Sequence, residues 1–268
     1  MSAILGQPVV VANKPGASGV IAMQQLLNAP ADGYTLASVT ASNMAFAPHL
    51  QSVGYTLDDF TFLAGMATQP FCLCVRQDAP WKTMDELLGY ARTHPGKLSY
   101  GHPGTGQQSY VVVEALKKLG KLDIEGIPYK GDSAALMGLM GGEVEIASVS
   151  SSFVPFSRNG QVRPLAMIGE RRLKEFPDIP TLKELGFDVE MRAPAMLGYA
   201  APKGLPPAVR AKLETALRRA IESPEFGQAL AQLNNELNYR DGEAFRKEVA
   251  EIHASVGTML ADLGLARK

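Results

Sequence analysis

The residue types able to do chemistry are spread thinly along this sequence. The four histidines, His49, His94, His102 and His253, stand far apart, and none completes a His-x-x-His, His-Glu-x-x-His or Cys/His spacing that could close around a metal ion. Ser18, in Gly16-Ala17-Ser18-Gly19, lacks the Gly-x-Ser-x-Gly spacing of a strained nucleophile turn and follows Lys14-Pro15 in place of a strand end, so helix capping is expected of it. The carboxylate pairs Asp58 with Asp59 and Glu143 with Glu145 fall in surface-like contexts, where a solvated face is expected and not acid–base work. Cys72 and Cys74 lie two apart in Phe-Cys-Leu-Cys-Val-Arg, on one face of a strand, where they could hardly bridge each other; buried free thiols are expected. The reading is a binding protein and not an enzyme, with no catalytic set, no metal and no cofactor.

The chain does offer groups that hold an anion without reacting with it. A strand over 97 to 101 runs through Gly101, Pro103, Gly104 and Gly106 into a helix expected from about 106 to 119. Glycines there let the backbone approach a ligand. The amides of Thr105, Gly106, Gln107 and Gln108 would point outward at the positive end of the helix dipole, which favours a carboxylate or phosphate. Thr105, Gln107, Gln108 and Ser109 add neutral hydrogen-bonding side chains. A tight turn with no ligand accounts for the same residues. So does a dinucleotide fingerprint, Gly104-x-Gly106-x-x-Ser109 with Asp132 downstream, although its third glycine is missing and Asp132 is placed to cap the next helix.

A second polar stretch, Thr40, Ala41, Ser42 and Asn43, follows the strand YTLASV (34 to 39) and either lines a cleft or caps the helix that follows. Tyr129-Lys130-Gly131 is a third strand end, with Lys130 as a candidate cation. His49 and His102 lie beside these loops.

The elements that must position these groups alternate between strand and helix patterns. PVVVA (8 to 12), SGVIAMQQLL and YTLASV read as a βαβ unit with a parallel sheet. FCLCVR (71 to 76) is a strand, and Thr83 with Glu86 forms a capping box for a helix that ends at His94-Pro95-Gly96. A second series follows: KLSYG, the glycine turn and its helix, IEGIPY, a helix opening at Asp132, VEIAS and VRPLAMI. After MLGYAAP (196 to 202) helices dominate, with Val209, Leu213, Leu217 and Ile221 on one face. Ser223-Pro224 fits an N-cap with proline behind it, and the last helix carries Phe245, Val249, Ile252, Val256 and Leu260.

Composition narrows the function classes. With 268 residues, 46% apolar and 20% charged, the chain can build a core or two lobes and is not disordered. A formal charge of −1 with scattered basic residues gives no footprint for nucleic acid. No apolar run approaches the ~20 residues that span a bilayer, and the start lacks the basic and apolar regions of a signal peptide.

The order VVVANKPGASG, ADGYTLASV, FCLCVRQDAP, LSYGHPGTGQQS, IPYKG, LMGGEVEIA, PDIPTLKELGF, GYAAPKGLPP resembles, along essentially the whole chain, the Bug family of solute receptors of tripartite tricarboxylate transporters. The resemblance implies an α/β fold of periplasmic-binding-protein type II, two α/β lobes joined by two crossover strands and closing on a small organic acid. It implies 1–97 with 198–268 as lobe one and 98–197 as lobe two. It also implies a periplasmic monomer whose partners are the solute and the membrane permease subunits. The family's ligand loops carry over onto Thr40 to Asn43 and onto Gly104 to Gln108. Thr40, Ser42 and Asn43 would bond one end of the solute, and the turn from Thr105 to Gln108 its carboxylate.

Relatives begin with a signal peptide, a first strand and a glycine-rich loop, and this chain is read as starting within the helix after that loop. Near Val149 they often carry an aspartate that meets ligand amines, where this chain has Ser148 and Ser150, and a histidine frequent near Tyr110 is replaced. A plain carboxylate is therefore favoured over an amino acid. The alternatives are a nucleotide-dependent α/β enzyme using the Gly104 turn, or a ligand-sensing protein of the same fold.

Overall fold

A computed structural model describes residues 1–169, 171–187 and 195–267. The helices are α1 (Ser2–Leu5), α2 (Val20–Leu27), α3 (Ala47–Leu50), α4 (Met84–Thr93), α5 (Gln108–Gly120), α6 (Asp132–Gly141), α7 (Val154–Arg158), α8 (Pro207–Ile221), α9 (Pro224–Gln232) and α10 (Gly242–Asp262). The strands are β1 (Ala37–Thr40), β2 (Phe60–Gln69), β3 (Phe71–Arg76), β4 (Leu98–His102), β5 (Ile124–Pro128), β6 (Ile146–Ser150), β7 (Val162–Ile168), β8 (Ala195–Pro202) and β9 (Glu236–Asp241). They divide between two compact units: Met1–Gln69 with Ala195–Leu260 and Ala266–Lys268, and Pro70–Pro194 with Ala261–Leu265.

In the first unit the sheet order is β1-β8-β2-β9, and every pairing is antiparallel. Leu63 and Ala64 of β2 and Ala201 of β8 pack against Leu213, Leu217 and Ile221 of α8, the stripe that the 3.6-residue spacing marks out. The PVVVA segment is not a strand. Residues 8 to 16 have no regular structure, and Val10 and Val11 are 85% and 83% exposed, because among the described residues no neighbouring strand takes their backbone groups. The expected βαβ unit accordingly does not form, and β1 pairs with β8 instead. Ser18 caps nothing: with Ala17 it has positive φ in a kinked turn ahead of α2. Strands β2 and β9, unmarked by local pattern, are held by β8 and by each other.

In the second unit the order is β5-β4-β6-β3-β7. Strand β4 runs parallel to β5 and β6, while β3 is antiparallel to β6 and β7. The division between units falls at residues 69/70 and not at 97/98, since β3 sits between β6 and β7 with Phe71 to Val75 all buried. A strand with nearly every side chain buried belongs inside a sheet covered on both faces. Cys72 and Cys74 are free and lie in this core with Leu136, Leu139, Val149 and Phe153. Of the capping box expected for α4, the N-cap half forms, the Glu86 amide donating to Thr83 Oγ1 at 3.2 Å, while the Glu86 carboxylate reaches one residue further back and accepts from the Lys82 amide at 2.5 Å instead of that of Thr83.

Candidate functional site

Two turns collect the candidate residues, one in each unit. In the first unit β1 ends at Thr40, and the chain enters a π-helix at Ser42–Phe46, a rare form that often marks functional positions. Thr40 and Asn43 brace each other there. The Thr40 amide donates to Asn43 Oδ1 (2.9 Å), and the Asn43 amide donates to Thr40 Oγ1 (3.2 Å), a capping box with asparagine in the return position. Asn43 Nδ2 donates to the Ser38 carbonyl at 3.1 Å, and the Tyr55 hydroxyl donates to the Asn43 carbonyl at 2.6 Å.

Asn43, 3% exposed, is thus occupied within the turn on both sides of its amide. Ala41 and Ser42 are also buried, and Thr40 is half-buried. From the far end of the sequence His253 of α10 bonds the Met44 carbonyl through Nδ1 (2.9 Å), and His49 bonds the His253 carbonyl through Nε2 (2.9 Å). Burial, and then His253, hold the His49 ring below the ordinary histidine value. His253 is thus a strut behind the turn. Asn43→Ala removes both side-chain bonds and leaves the Thr40 amide and the Ser38 carbonyl, both in part-buried bonds, without these partners. It should lower stability by about 2 kcal/mol, read from urea denaturation.

In the second unit β4 runs through His102 into the glycine turn. Gly104 has φ 143°, a conformation that side chains rarely adopt, and its amide donates to His102 Nδ1 at 3.2 Å. The Gln107 amide donates to the Gly104 carbonyl at 3.1 Å, which closes the turn and removes one of the four amides expected to face outward. Among the described residues the Thr105 and Gly106 amides have no acceptor. Helix α5 begins at Gln108, its first turn has no acidic residue, and Lys117 and Lys118 sit in its last, so the positive end of the dipole at the turn is uncompensated. Thr105 is exposed, Gln107 half-buried, and Gly106 and Gln108 buried. Ser109 is fully buried, and its carbonyl accepts from the Ser148 hydroxyl at 2.8 Å.

Other singled-out residues have local duties. Asp132 is the first residue of α6 with Gly131 as its N-cap, so it is not the cap expected of it. Its carboxylate accepts from both the amide (3.2 Å) and the hydroxyl of Ser150 at the end of β6. Burial raises its pKa, and the Ser150 bonds oppose that rise. This engagement takes away the acidic partner that a dinucleotide ribose would need. Tyr129 donates its amide to the His102 carbonyl and its hydroxyl to Glu143, while Lys130 is exposed. Among the described residues no group of three or more His, Cys, Asp or Glu could hold a metal ion, and no helix is long and apolar enough to cross a membrane.

The uncompensated helix end at the second turn would suit an anion, and comparison with known proteins decides the family. Residues 1–265 match the tripartite tricarboxylate transporter family receptor. The chain belongs to that family. A Cupriavidus necator relative, described as the UPF0065 protein in the gbd 5' region, is 36% identical over 267 residues, covering 99% of this chain and 81% of the relative. Among solved structures, MatC from Rhodopseudomonas palustris with bound malate is 28% identical with a TM-score of 0.89, covering 97% of this chain and 90% of its own. An R. palustris protein with adipate is 27% identical with a TM-score of 0.91, covering 99% and 89%.

The fold is the α/β periplasmic-binding-protein fold of these receptors, with one sheet in each unit. Membership makes the chain a solute-binding receptor of a transporter and not an enzyme. The sequence showed where the turns lie. It did not show that His102, Tyr55 and His253 hold them, because those partners come from elsewhere in the chain with no spacing signal.

Proposed function

We propose that this receptor captures a small dicarboxylate in the periplasm and passes it to the permease subunits of a tripartite tricarboxylate transporter. The residues assigned to the solute are Thr40, Ala41 and Ser42, with Asn43 bracing them, and the turn Gly104, Thr105, Gly106, Gln107 and Gln108. The observation that carries this reading is the pair of amides on Thr105 and Gly106, without an acceptor among the described residues, ahead of an α5 N-terminus that has no acidic residue in its first turn. Malate and adipate, the acids held by two relatives, differ in length and substitution and share two carboxylates. That comparison supports recognition of the carboxylate.

The test is calorimetric titration of the full chain with malate and with adipate, paired with thermal denaturation. Saturable binding is expected for at least one, with a stabilisation of about 2.7 kcal/mol at a hundredfold excess over Kd. Flat responses to both would sink the reading.

A further inference from the structure

We infer that His102 is the positioning residue of the anion-holding turn: its Nδ1 accepts the Gly104 amide and fixes the glycine, so a proton on that nitrogen releases the turn. The inference rests on the assignment of Gly104 to Gln108 to solute. The bond is built from three sides. Its donor is the one residue of the turn with positive φ. The imidazole, 1% exposed, lies between Tyr100 on its own strand (ring centroids 5.3 Å) and Tyr110 on α5 (4.8 Å), so it has little freedom to turn away. Its own carbonyl is held by the Tyr129 amide at 2.8 Å.

To accept from Gly104, Nδ1 must carry a lone pair, which places the ring proton on Nε2. Protonation turns the acceptor into a donor aimed at another donor. Gly104 then loses its tether, and with it goes the alignment of the Thr105 and Gly106 amides that follow.

The charged groups acting on the ring are Glu114 and Lys117 of α5, which bond each other at 2.8 Å; Glu114 also accepts the Tyr100 hydroxyl at 2.7 Å. Burial is the largest influence and holds the His102 pKa below the ordinary 6.5; the hydrogen bond to the Gly104 backbone and then Glu114 oppose that shift, and Lys117 reinforces it. The neutral ring is thus the folded-state form at neutral pH. Its contribution is complete above 6.5 and is lost as the pH falls below that value.

Two measurements on the full chain test this. The first is malate affinity by calorimetry at about pH 8 and about pH 5.5 for wild type, His102→Asn and His102→Leu. Asparagine Oδ1 can replace Nδ1 as an acceptor that does not titrate, and leucine removes the acceptor. The malate titration is common to all three proteins and cancels in their ratios. The wild-type affinity should fall at least about threefold more on acidification than that of His102→Asn, and His102→Leu should bind roughly tenfold more weakly at the higher pH.

The second is the hydrogen-exchange protection of the Gly104 amide in the ligand-free protein over the same range. It should drop about tenfold in wild type and stay level in His102→Asn. Superimposable affinity profiles with unchanged Gly104 protection would overturn the role of His102, and the wild-type protection alone decides it if a variant does not fold. Absence of malate binding in every protein would count against the solute assignment. In that case the Gly104 protection still decides whether His102 holds the turn.

Discussion

Thr105→Asp should abolish dicarboxylate binding, by about a hundredfold or more, while leaving the protein as stable as wild type. Thr105 is exposed and precedes α5, so an aspartate there meets no packing obstacle. A negative charge beside a helix N-terminus is neutral to favourable for the helix, by up to about 1 kcal/mol. For solute the same charge is fatal, because it occupies the field that the Thr105 and Gly106 amides offer and repels the incoming carboxylate. Thr105→Asn, which adds no charge, should stay within about threefold of wild type if charge is the cause. Calorimetry with malate, beside a melting curve for each variant, separates the two effects. Undiminished binding by Thr105→Asp would remove the turn from the site.

The largest stability effect is expected in the first unit, at Gly198. A Cβ there would lie 2.3 Å from Phe245 Cε1 and 2.4 Å from the Ala64 carbonyl oxygen. Gly198 pairs with Gly65 across β8 and β2, and the Phe245 ring of α10 covers both glycines. Phe245 is fully buried and also meets Phe62 edge-on at 5.8 Å. The ring has nowhere to retreat, and a backbone oxygen cannot yield without breaking sheet register. Gly198→Ala should therefore cost about 3 kcal/mol, at the upper end of overpacking penalties. In a domain of this size that corresponds to a melting point lower by roughly 6–12 °C. Gly89→Ala makes the control: it lies inside α4 with nothing within 4 Å of the new carbon, and should gain about 0.5–1 kcal/mol. Equal, small effects at both positions would show that the helix-to-sheet contact of Phe245 is looser than the geometry implies.

What was legible in the sequence was local. The Thr83 N-cap of α4, the Ser223 N-cap before Pro224 (its hydroxyl accepts from the Phe226 amide at 3.3 Å) and the buried faces of α8 and α10 all rest on residues a few positions apart. The glycine turn into α5 was legible for the same reason. The outcome at PVVVA shows the limit of such reading. Its β-branched residues satisfy the strand pattern, yet a strand exists only when a neighbour takes its amides and carbonyls, and none does among the described residues. The reverse holds for β9, whose polar run ELNYRD carries no strand signature and becomes a strand because β2 offers an edge.

The sequence by itself thus determined the two-series α/β pattern, the receptor family and the location of both candidate turns, through periodicity, capping residues and glycines that act over a single turn of backbone. Tertiary structure alone decided that β3 belongs to the second unit, that Asn43 is spent on Thr40 and Ser38, and that His102 holds Gly104 from between two tyrosines. The physical reason is that a hydrogen-bond donor is spent or free according to which acceptor the fold brings to it. Those acceptors are chosen by strand pairing and ring packing between distant segments, which leave no period in the sequence.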